Sequence, residues 1–154
     1  MPAMETTPAR ASELRVMSVS PPGEWERVRL PLYLWRVSAG FPSPAGDYVE
    51  REIDLKEWLV GNRLATYVVM VEGDSMVGEI HPGDRLIVDR SLEPRNRDVV
   101  VACVGGEMLV RRLLVEGGRH LLTAENPEYL PVEIDGVREL IIWGVVTHSI
   151  HRLR

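Results

Sequence analysis

Few side chains in this 154-residue sequence have the makings of covalent chemistry. The first is Ser75, in Glu72-Gly73-Asp74-Ser75-Met76, which follows a run rich in β-branched residues and so places a hydroxyl on a turn at a strand end. A serine hydroxyl is a weak nucleophile until a neighbouring base takes its proton, and bases are scarce here. Lys56 is the only lysine, and His81, His120, His148 and His151 are the only histidines, each of which reads equally well as a surface or cap residue. The lone Cys103 lies in an apolar run, where a free thiol packs as a small hydrophobe, and it excludes an internal disulfide framework. No His/Cys cluster has metal-ligand spacing, so the sequence points to no metal and no small-molecule cofactor. Taken alone, Gly-Asp-Ser-Met is an ordinary turn, and its surroundings must decide whether it is more.

Those surroundings are mostly strands. Ala65 to Val71, Arg85 to Val88 and Asp98 to Val104 are rich in β-branched and aromatic residues. Gly105-Gly106 then divides the last of these from Glu107 to Leu114, a strong hairpin signal because glycine accepts positive φ freely. Glu116-Gly117-Gly118-Arg119 turns the chain into His120 to Thr123, and Leu140 to Ile150 supplies a long final strand. One short helix is predicted, capped by Asp54, running to Val60 and stopped by Gly61-Asn62. Met1 to about Arg36 reads as an arm, because Pro2, Pro8, Pro21, Pro22, Gly23 and Pro31 interrupt it. Ser38 to Gly46, with Phe41-Pro42-Ser43-Pro44 at its centre, reads as an exposed, deformable linker. The length suits one globular core with an appendage.

The order of motifs along the chain is similar to that of UmuD-like proteins, members of the self-cleaving serine-peptidase family that includes LexA repressors. Ala39-Gly40-Phe41-Pro42-Ser43-Pro44-Ala45, Gly73-Asp74-Ser75-Met76, Pro82-Gly83-Asp84, Gly106-Glu107 and Trp143-Gly144-Val145-Val146 recur in that family's order across residues 37 to 154. The resemblance implies a mainly β, LexA/UmuD/signal-peptidase-like domain over residues 40–154, with an extended N-terminal arm, residues 1–39, removed on self-cleavage. It implies that Ser75 is the nucleophile of a Ser-Lys dyad and that Ala39-Gly40 is the scissile bond, where small residues let the backbone approach the hydroxyl. On such a turn the backbone N–H groups of Ser75 and Met76 are the natural oxyanion donors.

The dyad's lysine is absent. The family's base is the first of two basic residues on the strand after the Gly-Glu hairpin, and here those are Arg111 and Arg112. Burial can bring an amine from about 10.4 down to neutrality for roughly 4 to 5 kcal/mol, whereas a guanidinium at about 12.5 would need about 7.5 kcal/mol. Arg111 is therefore expected to fail as a proton acceptor. Three explanations stand open: an engineered change that traps the precursor, a natural pseudo-peptidase that keeps its binding role, or another residue, among them the four histidines, serving as base. The interval from Ser75 to Asp84 is also one residue shorter than the family's usual spacing.

Other classes are disfavoured. A formal net charge of -5 argues against a large electrostatic footprint on nucleic acid, so direct specific DNA binding is not expected. A repressor would need a DNA-reading module ahead of the linker, and 39 proline-interrupted residues are too few for a helix-turn-helix domain. No stretch approaches the roughly 20 apolar residues of a membrane span, so neither a membrane-tethered signal peptidase nor secretion is expected, and a cytoplasmic location is. The resemblance implies a homodimer, a UmuC-like Y-family DNA polymerase as partner, a RecA filament as activator of cleavage in the SOS response, and the polymerase sliding clamp as a further candidate contact. Leu30, Leu32, Tyr33, Leu34 and Trp35 in the arm need a surface to cover them, on their own subunit or on a neighbour.

Overall fold

An uninterrupted apolar run such as Val99-Val100-Val101-Ala102 has no polar face to give to water, and the structure buries it on both sides. In the computed structural model, which describes residues 12–20, 23, 27–33, 49–134 and 140–154, these residues lie on a strand whose alternate side chains enter two different apolar clusters. Val99 and Val101 join Leu14, Val69, Val71, Met76, Leu86, Val88 and Val110, while Val100 and Ala102 join Leu113, Leu122 and Val145.

The main sheet is antiparallel and has eight strands: β1 (Arg15–Ser20), β4 (Thr66–Glu72), β5 (Arg85–Asp89), β10 (Leu140–Ile150), β6 (Val99–Val104), β7 (Glu107–Glu116), β8 (Arg119–Thr123) and β9 (Val132–Ile134), in that spatial order. A second, two-stranded sheet pairs β2 (Arg29–Tyr33) with β3 (Val49–Asp54). Gly105 and Gly106 both have positive φ, as a two-residue hairpin turn requires, and set the β6–β7 register that places Val100 opposite Arg111. The predicted helix is α1 (Leu55–Leu59), and its cap is as read: the Asp54 carboxylate accepts from Lys56 N–H at 3.0 Å. Among the described residues no helix is long and apolar enough to cross a membrane.

The mainly β expectation holds, but part of the arm is woven into the sheet. β1 pairs antiparallel with β4 and also meets β7, through the pair Arg15 and Leu109 and through Val110 N–H donating to the Leu14 carbonyl at 3.0 Å. It thereby closes the ring β1-β4-β5-β10-β6-β7 and leaves Leu14 fully buried in the first cluster. The prolines that interrupt the arm flank this segment rather than fall within it, so an unpaired edge on each side can take it up. Leu30 on β2 remains half-exposed, while Leu34, Trp35 and the whole linker with Ala39 and Gly40 lie outside the described residues. Cys103 sits half-buried on β6, opposite Met108 and Ile141.

Candidate functional site

The turn after β4 begins at Gly73, whose φ of +116° suits glycine and whose missing side chain admits the arm: a Cβ there would lie 2.2 Å from the Glu13 carbonyl oxygen. The next residues wind through successive turns, with Val77 N–H donating to the Asp74 carbonyl and Ile80 N–H to the Met76 carbonyl. Ser75 and Met76 are both fully buried.

Arg111 projects from β7 into the same place and is only 4% exposed. The structure joins Ser75 and Arg111 through a third residue that stands between them. The Glu13 carboxylate accepts from Arg111 Nε at 2.7 Å and Nη2 at 2.6 Å, and its Oε1 also accepts from the Ser75 hydroxyl at 3.0 Å. Arg111 Nη1 donates to the Leu130 carbonyl at 2.9 Å. This two-point fork is the geometry in which guanidinium binds carboxylate most tightly.

The serine hydroxyl is engaged both as donor and as acceptor. Its hydrogen goes to Glu13, and its oxygen accepts from Leu14 N–H at 2.9 Å. The arm amide beside it thus presents its N–H side, while the Glu13 carbonyl is turned against Gly73. Among the described residues no acceptor takes the N–H of Ser75 or of Met76, the two expected oxyanion donors. A guanidinium has donors and no acceptor, so Arg111 in this setting holds a carboxylate rather than taking a proton from Ser75.

Further residues brace the turn. Asp74 N–H donates to the Ser12 carbonyl at 2.8 Å, and the Asp74 carboxylate accepts from Ser12 N–H at 3.1 Å and from the Tyr129 hydroxyl at 2.5 Å. Asn126 N–H donates to the Ser75 carbonyl at 2.9 Å, and its side-chain amide donates to the Asp74 carbonyl. Burial first, then the bond to Asp74 and the negative charges of Asp74, Glu13 and Glu128, push the Tyr129 phenol up to about 12. It is held as a neutral donor, with Arg111 over its ring at 5.8 Å.

Glu13, Asp74, Asn126 and Tyr129 were not singled out by sequence reasoning. A signal for Glu13 did exist: an arginine in an apolar strand demands a carboxylate partner. None of the four histidines bonds Ser75. His81 and His151 gather around Asp84, and His148 packs edge-on against Trp58. Arg112, the second basic residue, points to a different surface and pairs with Glu79 and Glu125.

Comparison with known proteins places the chain in a family. Residues 31–147 match the family described as Peptidase S24-like. The chain is similar to Protein MucA of Salmonella typhimurium, 47% identical over 123 residues that cover 79% of this chain and 84% of that protein. It is 40% identical to Protein ImpA of Shigella flexneri, over 87% of this chain and 91% of the relative. It is also 40% identical to Protein SamA of Salmonella typhimurium strain LT2, over 90% and 97%. The chain with this serine turn and this arginine-bearing strand belongs to the peptidase S24-like family, as a UmuD-like protein of SOS mutagenesis.

Proposed function

We propose that this chain regulates an error-prone, UmuC-like Y-family DNA polymerase in its full-length form, with its Ser75 site held closed by its own arm. The UmuD-like relatives are consistent with self-association and with a polymerase partner. A homodimer, the RecA filament and the sliding clamp are the finer assignments that the resemblance brings. The observation that carries the reading is the Glu13 carboxylate lodged between the Ser75 hydroxyl and the Arg111 fork. With that fork in the base's position, the acceptor of the Ser75 hydrogen is a carboxylate already tied into two charge-assisted bonds, and on this reading the Ala39-Gly40 bond is left whole while β1 stays docked.

Self-processing at Ala39-Gly40, the activity expected of a UmuD-like member of the peptidase S24-like family, is supported by that kinship and by the Ser75 and Met76 N–H groups, which no acceptor takes among the described residues and which suit an oxyanion. Incubation of the purified full chain with an activated RecA filament separates the two. The adaptor reading expects an intact chain, and expects Arg111→Lys to yield a fragment beginning at Gly40 that Ser75→Ala abolishes. A Gly40 fragment from the unaltered protein would refute it in favour of self-processing.

A further inference from the structure

Two histidines and an aspartate from two distant stretches of the sequence converge where the β5–β10 ladder ends. Ile150 pairs with Arg85, so the next step outward sets His151 against Asp84. His81 arrives on the turn that leads into β5. Asp84 is 1% exposed, an unusual place for a carboxylate, and it is tied in on several sides. Its Oδ2 accepts from His81 N–H at 2.8 Å and from the Ser149 hydroxyl at 3.1 Å, and its Oδ1 lies 2.6 Å from His151 Nδ1. The cluster shares no hydrogen bond with Ser75.

One atom in this group lacks a partner. His81 Nδ1 is buried, lies 3.8 Å from Asp84 Oδ2, and makes no hydrogen bond. A desolvated imidazole nitrogen with nothing to bind is costly unless something else occupies its lone pair. The two imidazole rings lie 4.5 Å apart, inclined by 33°, and both stand beside the same carboxylate. One donor atom from each of the three residues falls within a group whose members are all within 4.8 Å of one another.

We propose that His81, Asp84 and His151 form a site for a divalent transition-metal ion of the zinc type. Two imidazole nitrogens and one carboxylate oxygen are a three-ligand set that suits Zn²⁺, with water completing a tetrahedron, and they do not suit Ca²⁺ or Mg²⁺, which prefer oxygen donors. Bonds of about 2.0 to 2.1 Å place tetrahedral donors roughly 3.3 Å apart. With Oδ1 as the carboxylate ligand, its 2.6 Å contact to His151 Nδ1 must widen to reach that separation, and His81 Nδ1, now 3.8 Å from the other oxygen, must swing toward Oδ1. Both are within reach of ring rotation, because each imidazole is nearly half-exposed while the carboxylate is fixed. Ser149 and the His81 N–H hold Oδ2 in place, so the metal finds one rigid ligand and two adjustable ones. On binding, any proton on His151 Nδ1 leaves for Nε2 or for solvent. The bound ion would staple the Pro82-Gly83-Asp84 turn to the segment that follows β10.

The test uses the full chain after chelator treatment, titrated with Zn²⁺ by calorimetry and with Co²⁺ by visible absorption. The expected result is one ion per chain, a four-coordinate Co²⁺ spectrum, no competition from Mg²⁺, and a Tm that rises with zinc. His81→Ala and His151→Ala should each weaken binding at least about tenfold and abolish the Tm rise. Both variants should fold, since Asp84 keeps its bond from the residue 81 backbone N–H and from Ser149. Absence of Zn²⁺ binding, binding that survives both substitutions, or loss in only one of them would overturn the proposal.

Discussion

Glu13→Ala tests whether the arm is held by charge. In the folded chain the Glu13 and Arg111 side chains are 13% and 5% exposed, and Arg111 spends two of its donors on the carboxylate. Deleting the carboxylate while β1 stays docked strands a guanidinium with carbonyl partners alone, at a cost of about 3 to 5 kcal/mol. The chain has an alternative, which is to let β1 leave and water enter. That route gives up the burial of Leu14, about 2 to 3 kcal/mol, together with the bonds of its edge pairing, each about 0.5 to 1.5 kcal/mol. Losing the carboxylate raises the docked form alone, so the variant should populate the open form far more than the parent. A shift of 3 kcal/mol corresponds to on the order of a hundredfold. Hydrogen exchange reads it directly, because Val110 N–H donates to the Leu14 carbonyl and Asp74 N–H to the Ser12 carbonyl. Both amides should lose protection by about that factor, while the amide of Val100 on β6 keeps most of its own. Glu13→Leu with Arg111→Met, an apolar pair of similar volume, should restore protection. Unchanged exchange at Val110 and Asp74 in Glu13→Ala would show that the ion pair does not hold the strand, and the account of an idle Ser75 would fall with it.

Three further perturbations read other parts of the same structure. Gly73→Ala places a methyl 2.2 Å from the Glu13 carbonyl oxygen at a φ of +116°; strain of about 1 to 3 kcal/mol should displace β1, seen as lost protection at Asp74 and Val110, and normal protection would refute the close approach. Burial alone would raise the Asp84 carboxyl, but bonds from His81 N–H, His151 and Ser149, with the charge of His151, outweigh it and hold it below the ordinary value. Its contribution should therefore be full above about pH 4 and vanish as pH falls through the lowered value, so the stability gap between the parent and Asp84→Asn, measured in urea, should narrow in acid. The Tyr129 phenol, pushed up to about 12, favours the fold in full below the ordinary tyrosine range of about 10, and that support is lost as pH rises through its folded value. In an absorbance titration, Tyr129→Phe should remove the last phenol to ionise; loss of an early one would contradict the Asp74 bond.

What was legible in the sequence was local. The Gly105-Gly106 turn, the Asp54 cap and the β-branched runs of β4, β5 and β6 each carry their signal within a few residues, and each stands where it was read. β1 carried none, because its place depends on two edges that the rest of the fold leaves unpaired and on a glycine that leaves room for it. β9, three residues long, is too short to show a period. Ser75 and Arg111 could be placed from motif order, but the residue joining them lies 98 positions from Arg111. The same holds for His81, Asp84 and His151: spacing along the chain shows no ligand set, since the third donor arrives only through the β5–β10 ladder.

An arginine rather than a lysine at residue 111 decides what the site is able to do. An amine that can lose its proton activates a hydroxyl, and it meets a carboxylate as a single point of charge. A guanidinium cannot serve as that base, but its fork fixes a carboxylate in distance and in plane, which is what aligning a strand requires. In this chain the fork holds Glu13, Glu13 holds the Ser75 hydrogen, and Leu14 fills the apolar cluster beneath. Arg111→Lys should therefore act twice, weakening the hold on β1 and supplying a base beside Ser75. The double variant Arg111→Lys with Glu13→Ala should cut faster at Ala39-Gly40 than Arg111→Lys alone, because the arm no longer competes for the cleft. Equal rates would mean that the docked arm and the scissile linker do not exclude each other.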